Sequence, residues 1–223
     1  KRSPSGELKD RPMFTSCCPG WIRFIKSQFP HLVTQLSTAK SPQQMFGAAM
    51  KTYFAEKLGV EPEKIYTLSV MPCVAKKGER EMELYYEEYA GHDIDAVITT
   101  RELVRMIRSA HISPDTLEDI ASDRPMQEGS GAGVIFGATG GVMEAALRSA
   151  YYLLKNENPE ADAFKVVRSQ GFQENDGVVE ADFAIDDITV KTAVVSGLAN
   201  TRALLEKIER GDVHYDFVEV MAF

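Results

Sequence analysis

The stretch from Val178 to Met221 constrains the fold more than any other. Residues 178–185 and 188–195 are rich in β-formers and flank Asp186-Asp187, which reads as a hairpin with a tight turn. Residues 198–210 then follow a helical pattern stopped by Gly211, and residues 216–221 return as a strand. A strand, a helix and a strand in that order form a crossover unit, so the two strands are expected to be parallel.

The rest of the chain repeats the alternation. Pro19 sits where the first turn of a helix tolerates proline, and Trp21, Ile22, Phe24, Ile25 and Phe29 recur at helical spacing, giving a helix over 19–29. Ser41-Pro42 is an N-cap with a first-turn proline, and Phe46, Met50, Tyr53, Phe54 and Leu58 form a stripe that Gly59 closes. Residues 64–71 read as a buried strand and 93–99 as another. Thr99 and Glu102 make a capping box that starts a helix carrying Leu103, Met106 and Ile107. Glycine-rich segments at 129–133 and 137–141 flank what reads as a small apolar strand, and 142–155 follows as a helix. So many glycines imply close backbone approach to something. The expected fold is α/β, with two small mixed sheets flanked by helices and an active site in the cleft between two lobes. Lobe one is expected over about 1–90 and lobe two over 91–223, with the boundary near Gly91.

A chain of 223 residues is long enough to bury a real core, and 44% hydrophobic with 26% charged residues is ordinary for a globular protein. The net charge of -8 opposes a phosphate backbone, so no nucleic acid partner is expected. No run is apolar enough to span a membrane, and the start at Lys1 lacks the apolar core of a signal peptide. An opening residue other than Met points to an excised piece of a longer chain. Three cysteines, two of them adjacent, are no disulfide framework, which together with the acidic balance makes a cytoplasmic location the expectation.

Chemistry concentrates around sulfur. Thr15-Ser16-Cys17-Cys18-Pro19-Gly20-Trp21 puts two thiols at a helix start, where unpaired N–H groups and the dipole favour thiolate. Met71-Pro72-Cys73 puts a third at the carboxyl end of a strand, and Lys76 adds a cation three residues on. Soft thiolates in such places suit iron–sulfur clusters, although a four-iron cubane normally takes four; a cysteine taken singly reads first as a small core residue, a reading that the neighbouring prolines weaken. The glycine runs have neither a P-loop ending nor dinucleotide spacing. His31, His92, His111 and His214 show no paired metal-ligand spacing.

The runs 15–21 and 71–79 resemble two of the three signature motifs of iron-only hydrogenases, and 37–44 and 136–148 match further segments of that family. The resemblance covers nearly the whole chain. It implies a parent enzyme that converts protons and electrons reversibly to dihydrogen at a 4Fe-4S cubane joined to a diiron subsite, the H-cluster. By the resemblance, Cys18 and Cys73 are two of four cubane ligands, and Cys17 passes protons to the diiron subsite, with Ser37 on the same path. Lys76 matches the lysine that hydrogen-bonds an iron-bound cyanide. Met71, Met221, Ser41, Pro42, Gln43 and Phe136 match residues lining the diiron pocket. Alone, either Met reads as core filler, Lys76 as a surface lysine, Pro42 as a helix start and Phe136 as a core aromatic. The implied partners are the missing remainder of the catalytic domain, cluster maturation proteins, and an electron carrier such as ferredoxin or a flavin/NAD(P) subunit.

The third motif departs from the pattern. After Glu219-Val220-Met221-Ala222 the family has a Cys, with a second four residues later, whereas this chain has Phe223. A phenyl ring cannot coordinate iron, so this chain alone is expected to hold no complete cluster, to be inactive, and to expose apolar surface that drives partial opening or self-association. Two other readings come from the same superfamily: an iron–sulfur assembly or scaffold protein without hydrogenase activity, and a redox-sensing relative. Both tend to lack the residue corresponding to Cys17.

Overall fold

The structure is a computed structural model and describes residues 12–83, 86–87, 91–124, 129, 131–169, 177–185 and 188–222. In chain order the first elements are β1 (Met13–Phe14), α1 (Pro19–Gln28) and α2 (Pro42–Ala49), which continues through a π-helical turn (Met50–Phe54) into α3 (Ala55–Leu58). Then come β2 (Leu68–Met71), α4 (Ala75–Arg80), β3 (Tyr86–Glu87), β4 (Gly91–His92), β5 (Ala96–Thr99) and α5 (Thr100–Ser109). The last are α6 (Gly131–Ile135), α7 (Gly141–Lys155), α8 (Val166–Ser169), β6 (Val178–Ile185), β7 (Ile188–Ser196), α9 (Leu198–Arg210) and β8 (Phe217–Met221). They form two compact units, one from the described residues of 1–39 and 129–223, the other from those of 40–128.

The first unit is organised by a four-stranded sheet in the order β1-β8-β7-β6. β1, β8 and β7 are parallel, and β6 closes the edge antiparallel to β7, so the sheet is mixed. The pleat sends alternate residues to opposite faces. Phe14, Ala193, Val195, Val218 and Val220 meet Trp21 and Ile25 of α1 and Leu204 and Leu205 of α9 on one side. Val179, Phe183 and Val194 meet Met143 and Leu147 of α7, with Phe164 and Val167, on the other. Each large side chain buried this way is worth about 1.5–3 kcal/mol. Trp21 keeps its polar handle satisfied, since Nε1–H donates to Thr15 O at 3.0 Å. The crossover expected from the sequence is present, with Thr192 to Ser196 of β7 in register with Phe217 to Met221 of β8.

In the second unit β2 and β5 pair in parallel, Leu68 opposite Ala96 through Met71 opposite Thr99. α5 begins with the expected capping box at Thr99 and Glu102, and the helix from Pro42 ends at Gly59 in the left-handed region at φ 65°. Gly47 is required for close packing, because a Cβ there would lie 2.2 Å from Asp93 O. Lys51 is buried; its Nζ donates to His92 O at 2.6 Å and to Asp95 Oδ1 at 2.7 Å. Asp95 Oδ2 in turn accepts from Thr67 N–H and Oγ1–H.

The α/β expectation holds, though the described residues form three sheets: the mixed one, the β2–β5 pair and the antiparallel β3–β4 ribbon. Several local expectations do not hold. Residues 64–71 are not a buried strand: Pro62–Lys64 is a 3₁₀ turn, and the strand Leu68–Met71, which pairs only with β5 among the described residues, has Leu68 and Val70 exposed on one face. Between the glycine runs, where a small strand is expected, the chain is helical instead over Gly131–Ile135, its carbonyls satisfied locally by Phe136 N–H on Ala132 O and Ala138 N–H on Ile135 O. On the helix from Pro42, Phe46, Tyr53 and Leu58 of the apolar stripe face outward, and Gln43, Gln44 and Lys51 are buried. Gly91 falls inside the second unit, because the β2–β5 pairing joins the chain before and after it. The Asp186-Asp187 turn and Phe223 lie outside the described residues. No helix among the described residues is long and apolar enough to cross a membrane.

Candidate metal centre

In the first unit, the carboxyl ends of β1 and β8 meet the start of α1. Thr15 Oγ1 accepts Val220 N–H at 3.1 Å, which ties the two strands together two residues before the cysteines. Cys18 is the N-cap of α1, extended at φ -96° and ψ 109°, with Pro19 at the first helical position. Its sulfur is buried and accepts Ala222 N–H at 3.4 Å. Gly20 makes the approach feasible, since a Cβ there would stand 3.0 Å from Ala222 Cβ. Met221 and Ala222 are partly buried against the same core cluster that contains Cys18. Cys17 is half-buried, and none of the three cysteines is in a disulfide. Ser37 lies where β1 bridges Leu36; its N–H donates to Phe14 O, and its Oγ accepts Ala39 N–H at 3.2 Å. Phe136 is half-buried just after α6.

In the second unit, Met71 ends β2, Pro72 follows, and Cys73 is half-buried with its carbonyl accepting Lys76 N–H at 3.3 Å. Lys76 is no solvated surface lysine: only 12% of its side chain is exposed, and Nζ lies 2.7 Å from Oε2 of Glu79, which is 4% exposed. Ser41, buried at the N-cap of α2 before Pro42, donates its hydroxyl proton to the other oxygen of Glu79 and accepts Gln44 N–H. Glu79 thus joins two of the residues singled out from the sequence, a link that spacing alone did not reveal. Gln43 Oε1 accepts from Ser69 Oγ at 2.8 Å, while Gln43 Nε2 is buried with no hydrogen-bond partner among the described residues.

Glu219 is a further residue missed in the sequence. It is fully buried in the middle of β8, where its carboxylate accepts Gly140 N–H at 2.8 Å and Met143 N–H at 2.6 Å. Burial pushes its carboxyl up to about 7, against the opposing pull of the Met143 and Gly140 N–H groups. The folded chain holds this proton to higher pH than the unfolded chain, so the contribution of this group to stability rises as pH falls from about 7 toward the ordinary carboxylate range. An acid flanked by Val218 and Val220 in a strand covered on both faces is the signal that marks it.

The two sets of residues fit a soft iron–sulfur group in their donor chemistry. Cys18 offers sulfur beside a backbone donor, Cys73 a second sulfur at a strand end, and Gln43 Nε2 an unspent donor for an acceptor-bearing ligand. Two sulfurs are fewer than the four thiolates a cubane takes. Among the described residues no three His, Cys, Asp or Glu side chains converge to hold a metal ion.

Replacing Lys76 by Met is expected to cost about 3–5 kcal/mol, the penalty for stranding one partner of a buried ion pair. Thermal melting should show this loss, and adding Glu79→Gln should recover most of it. A melt unchanged by Lys76→Met would show that Glu79 is satisfied without the lysine.

Fold and thiol placement define an α/β protein that offers soft sulfur donors at a helix start and a strand end. The chain belongs to the family described as iron only hydrogenase large subunit, C-terminal domain, whose model matches residues 4–222. It is 46% identical over 211 residues to iron hydrogenase 1 of Clostridium pasteurianum, covering 95% of this chain and 36% of that protein. It is 43% identical to the periplasmic Fe hydrogenase large subunit of Nitratidesulfovibrio vulgaris, covering 95% of this chain and 49% of the relative. Among solved structures, the FeFe-hydrogenase HydA(deltaEFG) superposes with a TM-score of 0.78 at 35% identity, over 99% of this chain and 62% of that one. At lower identity, 33% over 97% of this chain and 45% of the relative, it is similar to the cytosolic Fe-S cluster assembly factor narfl of Xenopus tropicalis. The chain therefore spans less than half the length of these curated relatives.

Proposed function

We propose that the full-length protein carrying this chain interconverts protons and electrons with dihydrogen at a 4Fe-4S cubane joined to a diiron subsite. The observation that carries the reading is the vicinal pair at the start of α1, in which Cys18 is buried with its sulfur on Ala222 N–H and Cys17 is left half-buried beside it. Its support from outside is the similarity to named hydrogenases over 95% of the chain.

In this reading Cys18 and Cys73 hold the cubane. When bound, the cubane and diiron subsite supply the redox chemistry. Cys17 holds and moves a proton at Sγ, a task for a group that both gives and accepts one, and Ser37 Oγ stands on the same path. Lys76 Nζ, kept in a largely dry setting by Glu79, orients a polar ligand of the diiron subsite, where a charged donor counts for more than a neutral one. Ser41, Pro42, Gln43 and Phe136 line the pocket, and Met71 and Met221 give it polarizable walls that exclude water. With two matching thiolates, the 223-residue chain by itself is not expected to turn over. Ferredoxin or a flavin/NAD(P) subunit serves as the electron carrier, and maturation proteins build the cluster. A cytoplasmic location accords with cysteines that form no disulfide, although one of the relatives is named as periplasmic.

The second reading, an assembly or scaffold protein, rests on the likeness to the narfl factor. The two separate in one assay. The full-length protein, matured in a host with the cluster machinery, is expected to evolve dihydrogen from a reduced dye. A protein that binds iron and sulfide fully yet evolves no gas would establish the scaffold reading instead.

A further inference from the structure

Val218 and Val220 of β8 point into the apolar core, yet Glu219 between them has no exposure and no cation within ion-pairing distance among the described residues. Its carboxyl oxygens accept Gly140 N–H and Met143 N–H at the start of the fifteen-residue α7. First-turn N–H groups have no acceptor inside their own helix, and the dipole there favours an anion. The glycine run that supplies these donors is itself packed tightly against backbone of Val167 and Ile135. Gly140 has φ 86°, a Cβ on it would stand 2.2 Å from Val167 O, and one on Gly141 would stand 1.8 Å from Ile135 O. The segment that matches no nucleotide-binding pattern thus gives Gly140 N–H, and the helix after it Met143 N–H, to a carboxyl group of the chain's own strand.

Two positions beyond Glu219, β8 ends at Met221, and the next N–H, that of Ala222, is on Cys18 Sγ. On the other side, the loop entering Gly140 begins at Phe136. The geometry points to Glu219 as a positioning residue: by tying the end of β8 to the start of α7, it holds Ala222 N–H on the Cys18 sulfur and fixes Met221 relative to the Phe136 loop. This deepens the reading of Cys18 as an iron ligand and rests on it.

The test is made on the full-length protein stripped of metal, so that its outcome is independent of hydrogen evolution. Glu219→Gln keeps the shape but turns an NH₂ toward one of the two N–H groups. Site-resolved mass spectrometry then follows alkylation by iodoacetamide. Cys18, buried while Ala222 is held against it, is expected to become accessible and to react about tenfold faster relative to Cys73, the factor for losing roughly one such hydrogen bond, with cooperative melting retained. Glu219→Asp, which keeps the charge but is one methylene shorter, should fall between. An unchanged ratio of Cys18 to Cys73 rates in a folded Glu219→Gln protein would overturn the assignment. Should that variant not fold, amide exchange in the unaltered protein decides: Gly140 and Met143 are expected to exchange slowly, and exchange at the rate of open amides would equally overturn it.

Discussion

Cys18→Ala in the full-length protein is expected to abolish the visible absorption and iron content of the cubane while leaving the apoprotein folded. The side chain is small, so its truncation removes little packing from a core carried by Phe14, Trp21, Ile25 and the valines of β7 and β8. What it removes is the sulfur to which Ala222 N–H is directed. The loss should exceed the roughly 10–100-fold that a merely supporting contact costs a metal site, and Cys73→Ala should show the same. Iron and acid-labile sulfide at unaltered levels in either variant would remove that cysteine from the ligand set. A Cys18→Ala protein that failed to fold even without metal would make Cys18 a core residue in the first place, the alternative its burial always leaves to a lone cysteine.

What could be read in the sequence divides along physical lines. The β7-α9-β8 crossover, the Thr99 capping box and the Gly59 stop follow from local rules about periodicity, caps and left-handed glycine, and the structure has them. Features set by distant partners were not legible. The helix from Pro42 carries an apolar stripe, yet its buried side is Gln43, Gln44 and Lys51, because Lys51 must reach Asp95 and His92 O and Gln43 must reach Ser69. The apolar residues between the two glycine runs, 134–136, read as a strand, but the backbone there is taken up in a helical turn. Gly91 looked like a boundary because local punctuation cannot show that Leu68 and Ala96 are paired across it. At the site, the cysteines and Lys76 stood out by chemical type. Glu79 and Glu219 were ordinary acids until tertiary structure gave the first a lysine and a serine, and the second a helix start.

On the proposed reading the two adjacent cysteines have different tasks, and their surroundings differ. Cys18 is the extended N-cap of α1, with its sulfur buried on Ala222 N–H. Cys17 beside it is half-buried. A ligand role for one and a proton role for the other predict opposite phenotypes from neighbouring substitutions. Cys17→Ser in the full-length protein is expected to keep its iron and its visible spectrum but to lose about 10²–10⁴-fold in gas evolution, the range a positioned acid–base group supplies. A hydroxyl occupies the same space and still hydrogen-bonds, but it gives up its proton far less readily than a thiol, so the loss reports proton movement rather than packing. If iron content instead fell in step with activity, Cys17 would be a ligand. If turnover stayed at the unaltered level, protons would reach the site by a path that bypasses this sulfur, and the retention of two adjacent thiols at the start of α1 would need another explanation.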